Sequence, residues 1–149
     1  MDSRDMVLRK EGGGQGYYER LSAEAGSASV ACIFRMLGED ELRHADALRA
    51  LRDNARIKLR HSQTLDGAKK ILRRLSVEEL ARHGGDLGSY RSAMRFEALS
   101  ARACSELARE ARHPWERELF QAMAEEDEMH FTLLEEMREL LEEGRGDVQ

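Results

Sequence analysis

Two short stretches of the sequence place an acidic residue three positions before a histidine. They are Glu41 with His44 in GEDELRHADAL and Asp127 with His130 in EEDEMHFTLL. Residues three apart on an α-helix lie on the same side of it, so both side chains of such a pair can contact one point. Carboxylate oxygen and imidazole nitrogen together suit iron, manganese or zinc better than calcium. Each pair therefore predicts part of a transition-metal site.

A single pair of this kind is a weak indication, because a chain with 29 acidic residues often produces one by chance. The stretch EARH is an example, since Glu110 lies three positions before His113. That pair adjoins Pro114 at a predicted helix end and has no counterpart elsewhere, so we interpret it as a surface pair. The other two pairs differ because both belong to a larger, duplicated pattern.

The chain contains an internal repeat with an offset of 86 residues, at which Glu41 is replaced by Asp127. Eight identical pairs link the two copies: Glu11 and Glu97, Leu21 and Leu107, Glu24 and Glu110, Ala25 and Ala111, Phe34 and Phe120, Glu39 and Glu125, His44 and His130, Leu48 and Leu134. Two related helical hairpins packed face to face form a four-helix bundle with a long connection between the halves.

A further glutamate lies 30 residues ahead of the paired acid in each half, Glu11 before Glu41 and Glu97 before Asp127. A helical hairpin can bring such residues to the same height. The bundle would then offer one carboxylate from each of two helices and an acid–histidine pair from each of the other two. This is the ligand set of a carboxylate-bridged dinuclear site. The alternative is a metal-free bundle, but four acids and two histidines in a core are heavily penalised without a cation.

Composition predicts an all-α fold. Ala, Leu, Glu and Arg dominate, aromatic residues make up 5% and there is one proline, which favours helices over strands. A length of 149 residues suits one domain. We predict a single four-helix bundle over residues 1–149, with half-repeats at about 7–56 and 90–143, a crossover at about 57–89 that contains a short helix, and a C-terminal tail at 144–149.

The spacing of apolar residues places the helices along the chain. Residues 21–36 form one buried stripe, and Gly38 is predicted to mark the turn into the second helix. The later helices are predicted at about 39–59, 68–81 and 90–111, and Pro114 opens a last helix that ends near EEGRG.

The glycine-rich stretch EGGGQGYY falls where the first helix should carry Glu11. Each of its four glycines costs about 1 kcal/mol relative to alanine inside a helix. We therefore predict that, without metal, the regular first helix begins near residues 15–18 and that Glu11 is then disordered or becomes ordered only on metal binding. Glu19 is the substitute ligand.

Charge and hydropathy limit the classes of partner. The net charge of −5, with both signs interspersed, gives no basic footprint for nucleic acid. No apolar run approaches the roughly 20 residues that span a bilayer, and there is no signal-peptide core. The two cysteines, Cys32 and Cys104, are far apart and form no C-x-x-C pattern, which suits a reducing cytoplasm.

Taken together, these motifs resemble those of the ferritin-like superfamily and, within it, of the rubrerythrin-related di-iron proteins. In the first half the resemblance rests on Glu11, Tyr18, Leu21, CIF and EDELRHADAL. In the second half it rests on Glu97, Leu107, RHP, ELF and AEEDEMH. The resemblance covers about residues 7–56 and 90–143 and implies a ferritin-like four-helix bundle.

The resemblance also implies a ligand set for two iron ions, with manganese or zinc as the other metals that such ligands accept. The ligands would be Glu11, Glu41, His44, Glu97, Asp127 and His130, with Glu41 and Asp127 as candidates to bridge the two metals.

Two further residues are expected near the metals. Tyr18 lies where the family often carries a tyrosine, and Cys104 takes the equivalent place in the second half as a soft packing residue. The sequence departs from the family at Asp127, where a glutamate is usual, and at Ser100, where rubrerythrins proper carry an extra carboxylate.

The function that the resemblance implies is reduction of peroxide or O₂, or oxidation of Fe(II), in oxidative-stress defence. Because the chain has no four-cysteine rubredoxin-like module, electrons would come from a separate donor protein such as a rubredoxin. A homodimer is the expected assembly. The alternatives are a dimanganese catalase, a ferritin-type iron store or iron-loading protein, and a non-enzymatic helical interaction module with a degenerate site.

Overall fold

The structure is a computed structural model that describes the backbone of residues 3–146 and the side chains of residues 13–146. Residues 3–146 form six helices and no strand: α1 (Ser3–Glu24), α2 (Ala28–Arg52), α3 (Thr64–Arg74), α4 (Val77–His83), α5 (Leu87–Glu110) and α6 (Pro114–Gly146). The prediction of an all-α fold is confirmed.

The four long helices form two hairpins that lie side by side. Helix α1 packs along α2, α5 packs along α6, and α1 also contacts α5. The two short helices belong to the crossover between the hairpins, where α3 contacts α2 and α6 and α4 packs on α6. This arrangement brings the centres of all the long helices together.

The interior consists of two apolar clusters with a polar layer between them. One cluster contains Tyr18, Phe34 and Leu134, and the other contains Cys104, Phe120 and Leu48. The members of each repeat-related pair lie in opposite clusters: Tyr18 and Cys104, Phe34 and Phe120, and Leu48 and Leu134. The repeat therefore corresponds to an approximate two-fold axis that passes through the polar layer.

The turn of the first hairpin lies at residues 25–27, so the predicted turn at Gly38 is wrong. Ser27 caps α2, and its Oγ accepts a hydrogen bond of 3.4 Å from the amide of Val30. Gly38 lies inside α2 where α1 crosses it, and a Cβ there would be 3.4 Å from Cβ of Tyr18. A Cβ at Gly38 would make only an ordinary van der Waals contact, so this position is neither a turn nor one that requires glycine.

Helix α1 begins at Ser3 and is continuous through the glycine-rich stretch, so the prediction that it begins near residues 15–18 is wrong. Gly14 explains the difference: it is buried, and a Cβ at this position would lie 2.6 Å from Cζ of Phe96 on α5. Packing against α2 and α5 stabilises a helix that propensity alone disfavours.

The crossover also differs from the prediction. Helix α2 ends at Arg52 rather than near residue 59, and Asn54 follows in the left-handed region with a φ of 63°. The single short helix predicted at about 68–81 is two helices, because Ser76 starts a new one by accepting a 3.0 Å hydrogen bond from the amide of Glu79. Helix α6 begins at Pro114, as predicted. Among the described residues, none of the helices has the length and apolar character needed to cross a membrane.

Candidate metal centre

Three carboxyl groups and one imidazole meet in the polar layer. Glu41 comes from α2, Glu97 from α5, and Asp127 and His130 from α6. Each offers a ligand atom, and these atoms all lie within 4.8 Å of one another. All four side chains are 0% exposed.

The two histidines direct their Nδ1 atoms at inner carboxylates of the opposite hairpin. Nδ1 of His130 lies 3.2 Å from Oε1 of Glu41 and 3.3 Å from Oε1 of Glu97, its own hairpin partner. Nδ1 of His44 lies 3.5 Å from Oδ1 of Asp127. The rings stack at 15° with centroids 6.3 Å apart. Glu41 with His130 and Asp127 with His44 are therefore equivalent pairs across the two-fold axis.

Two outer carboxylates contact the opposite ring nitrogens. Oδ2 of Asp40 lies 2.8 Å from Nε2 of His130, and Oε1 of Glu126 lies 3.0 Å from Nε2 of His44. An ionised carboxylate only accepts hydrogen bonds, so each Nε2 carries the hydrogen, which leaves Nδ1 as the atom that can bind a metal. These contacts fix the tautomer and the ring orientation.

Sequence analysis missed Asp40 and Glu126. The signal that could have found them is the repeat itself, because the offset of 86 residues aligns Asp40 with Glu126. Each lies immediately before a predicted ligand acid. Since each contacts the histidine of the other hairpin, no local spacing rule within one helix could have predicted the contact.

One arginine joins the two outer carboxylates. Nη2 of Arg43 donates to Oε1 of Glu126 at 2.6 Å and to Oδ1 of Asp40 at 3.1 Å. Its Nη1 also donates to the carbonyl of Arg60 at 3.0 Å. Ser62 completes the surroundings of Asp40 by donating a 2.6 Å hydrogen bond to Oδ2. The crossover segment is thereby attached to the site.

The charges at His130 and Asp40 stabilise each other. Burial by itself would lower the pKa of His130, but the negative charge of Glu97 and hydrogen bonds to Asp40 and Glu97 raise that pKa well above its ordinary value. Burial would raise the pKa of Asp40, but its hydrogen bond to His130 and the charge of that ring outweigh burial and hold the pKa well below its usual range. In the metal-free protein His130 is therefore protonated on both ring nitrogens and opposes part of the buried negative charge, and a bound metal would take the place of the proton on Nδ1.

Two hydroxyl groups orient inner carboxylates. Tyr18 is fully buried and donates a 2.7 Å hydrogen bond to Oε1 of Glu97. Burial and the charge of Glu97 raise the pKa of the Tyr18 phenol, which therefore remains a donor. Ser100 donates to Oδ2 of Asp127 at 2.7 Å. Ser100, at the position where the resemblance implies an extra carboxylate, thus orients Asp127. Cys104, the repeat counterpart of Tyr18, lies in an apolar cluster.

Glu11 and Glu19 were the two predictions for a ligand from α1. The backbone of Glu11 belongs to α1, but its side chain lies outside the described residues. Glu19 is exposed and accepts a 3.2 Å hydrogen bond from Nε2 of Gln15. Its side chain is therefore at the surface, and the structure does not bring it into the polar layer.

The inner groups fit a cationic metal centre. Among the described residues, Oε2 of Glu41 and Oε2 of Glu97 are buried and accept no hydrogen bond. A buried carboxylate oxygen without a donor is costly, and a bound cation removes that cost. Oxygen and imidazole nitrogen donors are the set that iron, manganese and zinc accept. The donor chemistry and the two carboxylate oxygens that accept no hydrogen bond therefore both suit such metals.

Comparison with known proteins gives one family. The family model for rubrerythrin matches residues 5–138, which includes all four long helices except the ends of the first and last. No curated protein and no solved structure matches the chain. The matched region holds every residue of the polar layer described above, and it covers most of the sequence. The chain belongs to the rubrerythrin family.

Proposed function

We propose that the polar layer holds two iron ions and that the protein is an oxidoreductase of the rubrerythrin type, which reduces peroxide or O₂ or oxidises Fe(II) in oxidative-stress defence. The proposed ligands are Glu11, Glu41, His44, Glu97, Asp127 and His130. The observation that carries the proposal is the convergence of three fully buried carboxyl groups on His130, with ligand atoms within 4.8 Å of one another.

When bound, the two ferrous ions supply the two electrons that convert H₂O₂ and two protons into two water molecules. The side chains around the site have three tasks in this proposal. Asp40 and Glu126 hold the imidazole rings so that Nδ1 faces inwards. Tyr18 and Ser100 orient Glu97 and Asp127. The apolar clusters on either side exclude water, which strengthens every electrostatic interaction inside.

Return of the metals to the ferrous state requires a reductant. We therefore propose a separate one-electron donor such as a rubredoxin, used twice for each peroxide reduced. A homodimer in the cytoplasm is the proposed setting.

The proposal is tested by anaerobic titration of the metal-free protein with Fe(II), followed by addition of H₂O₂ or air. We expect saturation at two irons per chain and, on oxidation, a near-ultraviolet absorption band of ferric iron. The variant His130→Ala should lose at least one iron, because it removes a predicted ligand.

The matched control is His113→Ala, which removes the exposed histidine of the other acid–histidine pair. It should bind two irons as the wild type does. A wild-type protein that binds no iron would favour the non-enzymatic interaction module, and equal losses in the two variants would contradict the assigned ligands. The same titration with Mn(II) and assay of O₂ release from H₂O₂ distinguishes a dimanganese catalase.

A further inference from the structure

The two halves of the site are related by the repeat, but their outer carboxylates have different surroundings. The side chain of Asp40 is 6% exposed and contacts His130, Ser62 and Arg43. Glu126, its counterpart, contacts Arg43 and His44, and its side chain is 11% exposed. The outer carboxylate behind His130 is therefore buried and has an additional hydroxyl donor, whereas the one behind His44 is partly exposed.

A cavity of about 540 Å³ lies directly over Glu126. The crossover segment at residues 58–62 forms one wall, and Ala122, Glu125, Glu126 and Met129 of α6 form the other. The side chains of Lys58 and Glu125 are exposed at this cavity, so it opens to solvent. Glu126 thus separates the cavity from His44, to which it bonds at 3.0 Å.

Asp40, unlike Glu126, does not line the cavity. Ser62 lies at the cavity wall and is itself buried, and its hydroxyl donates to Asp40. An ion or water molecule that approached His130 from this side would have to displace both Ser62 and Asp40. An approach to the metal position at Nδ1 of His44 requires movement of Glu126 and then of the His44 ring, whose outer edge Glu126 contacts, but no displacement of a buried serine.

We propose that the two metal positions differ in exchange: the divalent cation held by His44 and Asp127 exchanges with solvent through the cavity over Glu126, whereas the cation held by His130, Glu41 and Glu97 is retained. This inference rests on the proposed function. It assigns Glu126 as a positioning residue that controls access of hydrated divalent cations. Asp40, its repeat counterpart, provides no such access.

The charges on the cavity wall are consistent with passage of an ion. Glu125 and Glu126 offset the positive charges of Lys58 and Arg60, so the cavity wall does not strongly repel a cation. Arg43 holds Glu126 in the closed position at 2.6 Å. Rotation of the partly exposed Glu126 side chain breaks its contacts with Arg43 and His44. Arg43 keeps its contact with Asp40, whereas the His44 ring loses the contact that fixes its orientation.

The test uses Co²⁺ as the metal, because its visible absorption reports each bound ion. The full chain is loaded with two Co²⁺ per chain and mixed with excess chelator, and release is followed by absorbance. We expect two phases of one ion each. Glu126→Gln should accelerate the fast phase roughly 10- to 100-fold, because loss of an outer carboxylate usually weakens metal affinity by that factor, and leave the slow phase unchanged. Asp40→Asn should accelerate the slow phase.

A second pair of variants does not alter the polar layer. Ala122→Leu narrows the cavity over Glu126 and should slow the fast phase several-fold. Ala98→Leu makes the same change in a different cavity, beside Arg102 and Phe131, and should affect neither phase. This pair keeps the test decisive if Asp40→Asn does not fold.

Three results would overturn the inference. Release of both ions in a single phase would show that the positions are equivalent. Acceleration of the same phase by Glu126→Gln and Asp40→Asn, or an unchanged fast phase in Ala122→Leu, would exclude the cavity as the route. A protein that binds no Co²⁺ or Fe(II) pair at all would contradict the proposed function as well, so the two failures are distinguishable.

Discussion

At the scale of single residues, the site carries more negative charge than its own donors neutralise. Glu41 and Glu97 both direct an oxygen at Nδ1 of His130, and the second oxygen of each accepts no hydrogen bond among the described residues. Both carboxylates are fully buried. The metal-free protein therefore stores unfavourable electrostatic free energy that a bound cation releases.

This surplus predicts opposite effects of one substitution in the two states. Glu41→Gln removes a buried charge while keeping the shape, so the free energy of unfolding of the metal-free protein should rise by about 1 kcal/mol. The gain in melting temperature on addition of metal should shrink, because a ligand is lost. Urea unfolding in chelator and thermal unfolding with metal measure the two effects.

Glu19→Gln provides the control, because it neutralises an exposed acid on α1 and should change neither quantity. A Glu41→Gln protein that is destabilised by several kcal/mol without metal would show that the carboxylate is needed to pair with His130. The surplus-charge account would then be wrong.

Residues inside one helix were the easier part of the site to predict. Glu41 with His44 and Asp127 with His130 fit the helical period. The repeat distinguished them from the surface pair of Glu110 and His113 and added Glu97. The contacts of Asp40 and Glu126 cross between hairpins and depend on how α2 and α6 face each other. Arg43 has no repeat counterpart, since Met129 occupies the equivalent position, so the repeat gives no sign of its bridging role.

At the scale of helices, composition and the repeat predicted the bundle, but glycine misled the prediction of helix ends. Gly38 and Gly14 both lie inside helices, and Gly14 allows close contact with Phe96. Helix propensity treats a glycine as a local cost, whereas a close helix crossing makes it the residue that fits. Such crossings are set by tertiary packing, which a single sequence does not display.

Neighbouring glycines on α1 allow a direct test of this explanation. Gly13 is exposed and a Cβ there would meet nothing within 4 Å, so Gly13→Ala should raise the free energy of unfolding by about 0.5–1 kcal/mol through helix propensity. At Gly14 the new Cβ would lie 2.6 Å from Phe96 and 3.4 Å from Cγ of Glu41. Gly14→Ala should therefore lower the free energy of unfolding by roughly 1–3 kcal/mol, the usual cost of overpacking.

Urea unfolding of the two variants, each compared with the wild type, measures the difference. Metal affinity should also fall in Gly14→Ala but not in Gly13→Ala, because Glu41 is displaced only in the former. If Gly14→Ala proved as stable as Gly13→Ala, the close contact of α1 with Phe96 would not be what requires glycine.

At the scale of the whole molecule, the site is shared by both hairpins. Nδ1 of each histidine, one on α2 and one on α6, faces an acid of the opposite hairpin. The outer carboxylates Asp40 and Glu126 likewise contact the histidine of the opposite hairpin. The apolar clusters on either side also combine residues of α2 with residues of α6. A metal bound in the polar layer would therefore stabilise the two hairpins together rather than one of them.

This sharing predicts how hydrogen exchange responds to metal across the chain. Amides in the cores of α2 and α6 that exchange by global unfolding should slow by the same factor, about 100-fold for each bound ion at a free metal concentration 100 times its dissociation constant. Amides of α4, a short helix of the crossover that supplies no group to the polar layer, exchange by local opening and should change little. Exchange followed by mass spectrometry, with and without Zn²⁺, measures each segment. Slowing confined to one hairpin would mean that the metals are held by that hairpin alone, and the cross-hairpin pairs of Glu41 with His130 and Asp127 with His44 would then not describe the loaded centre.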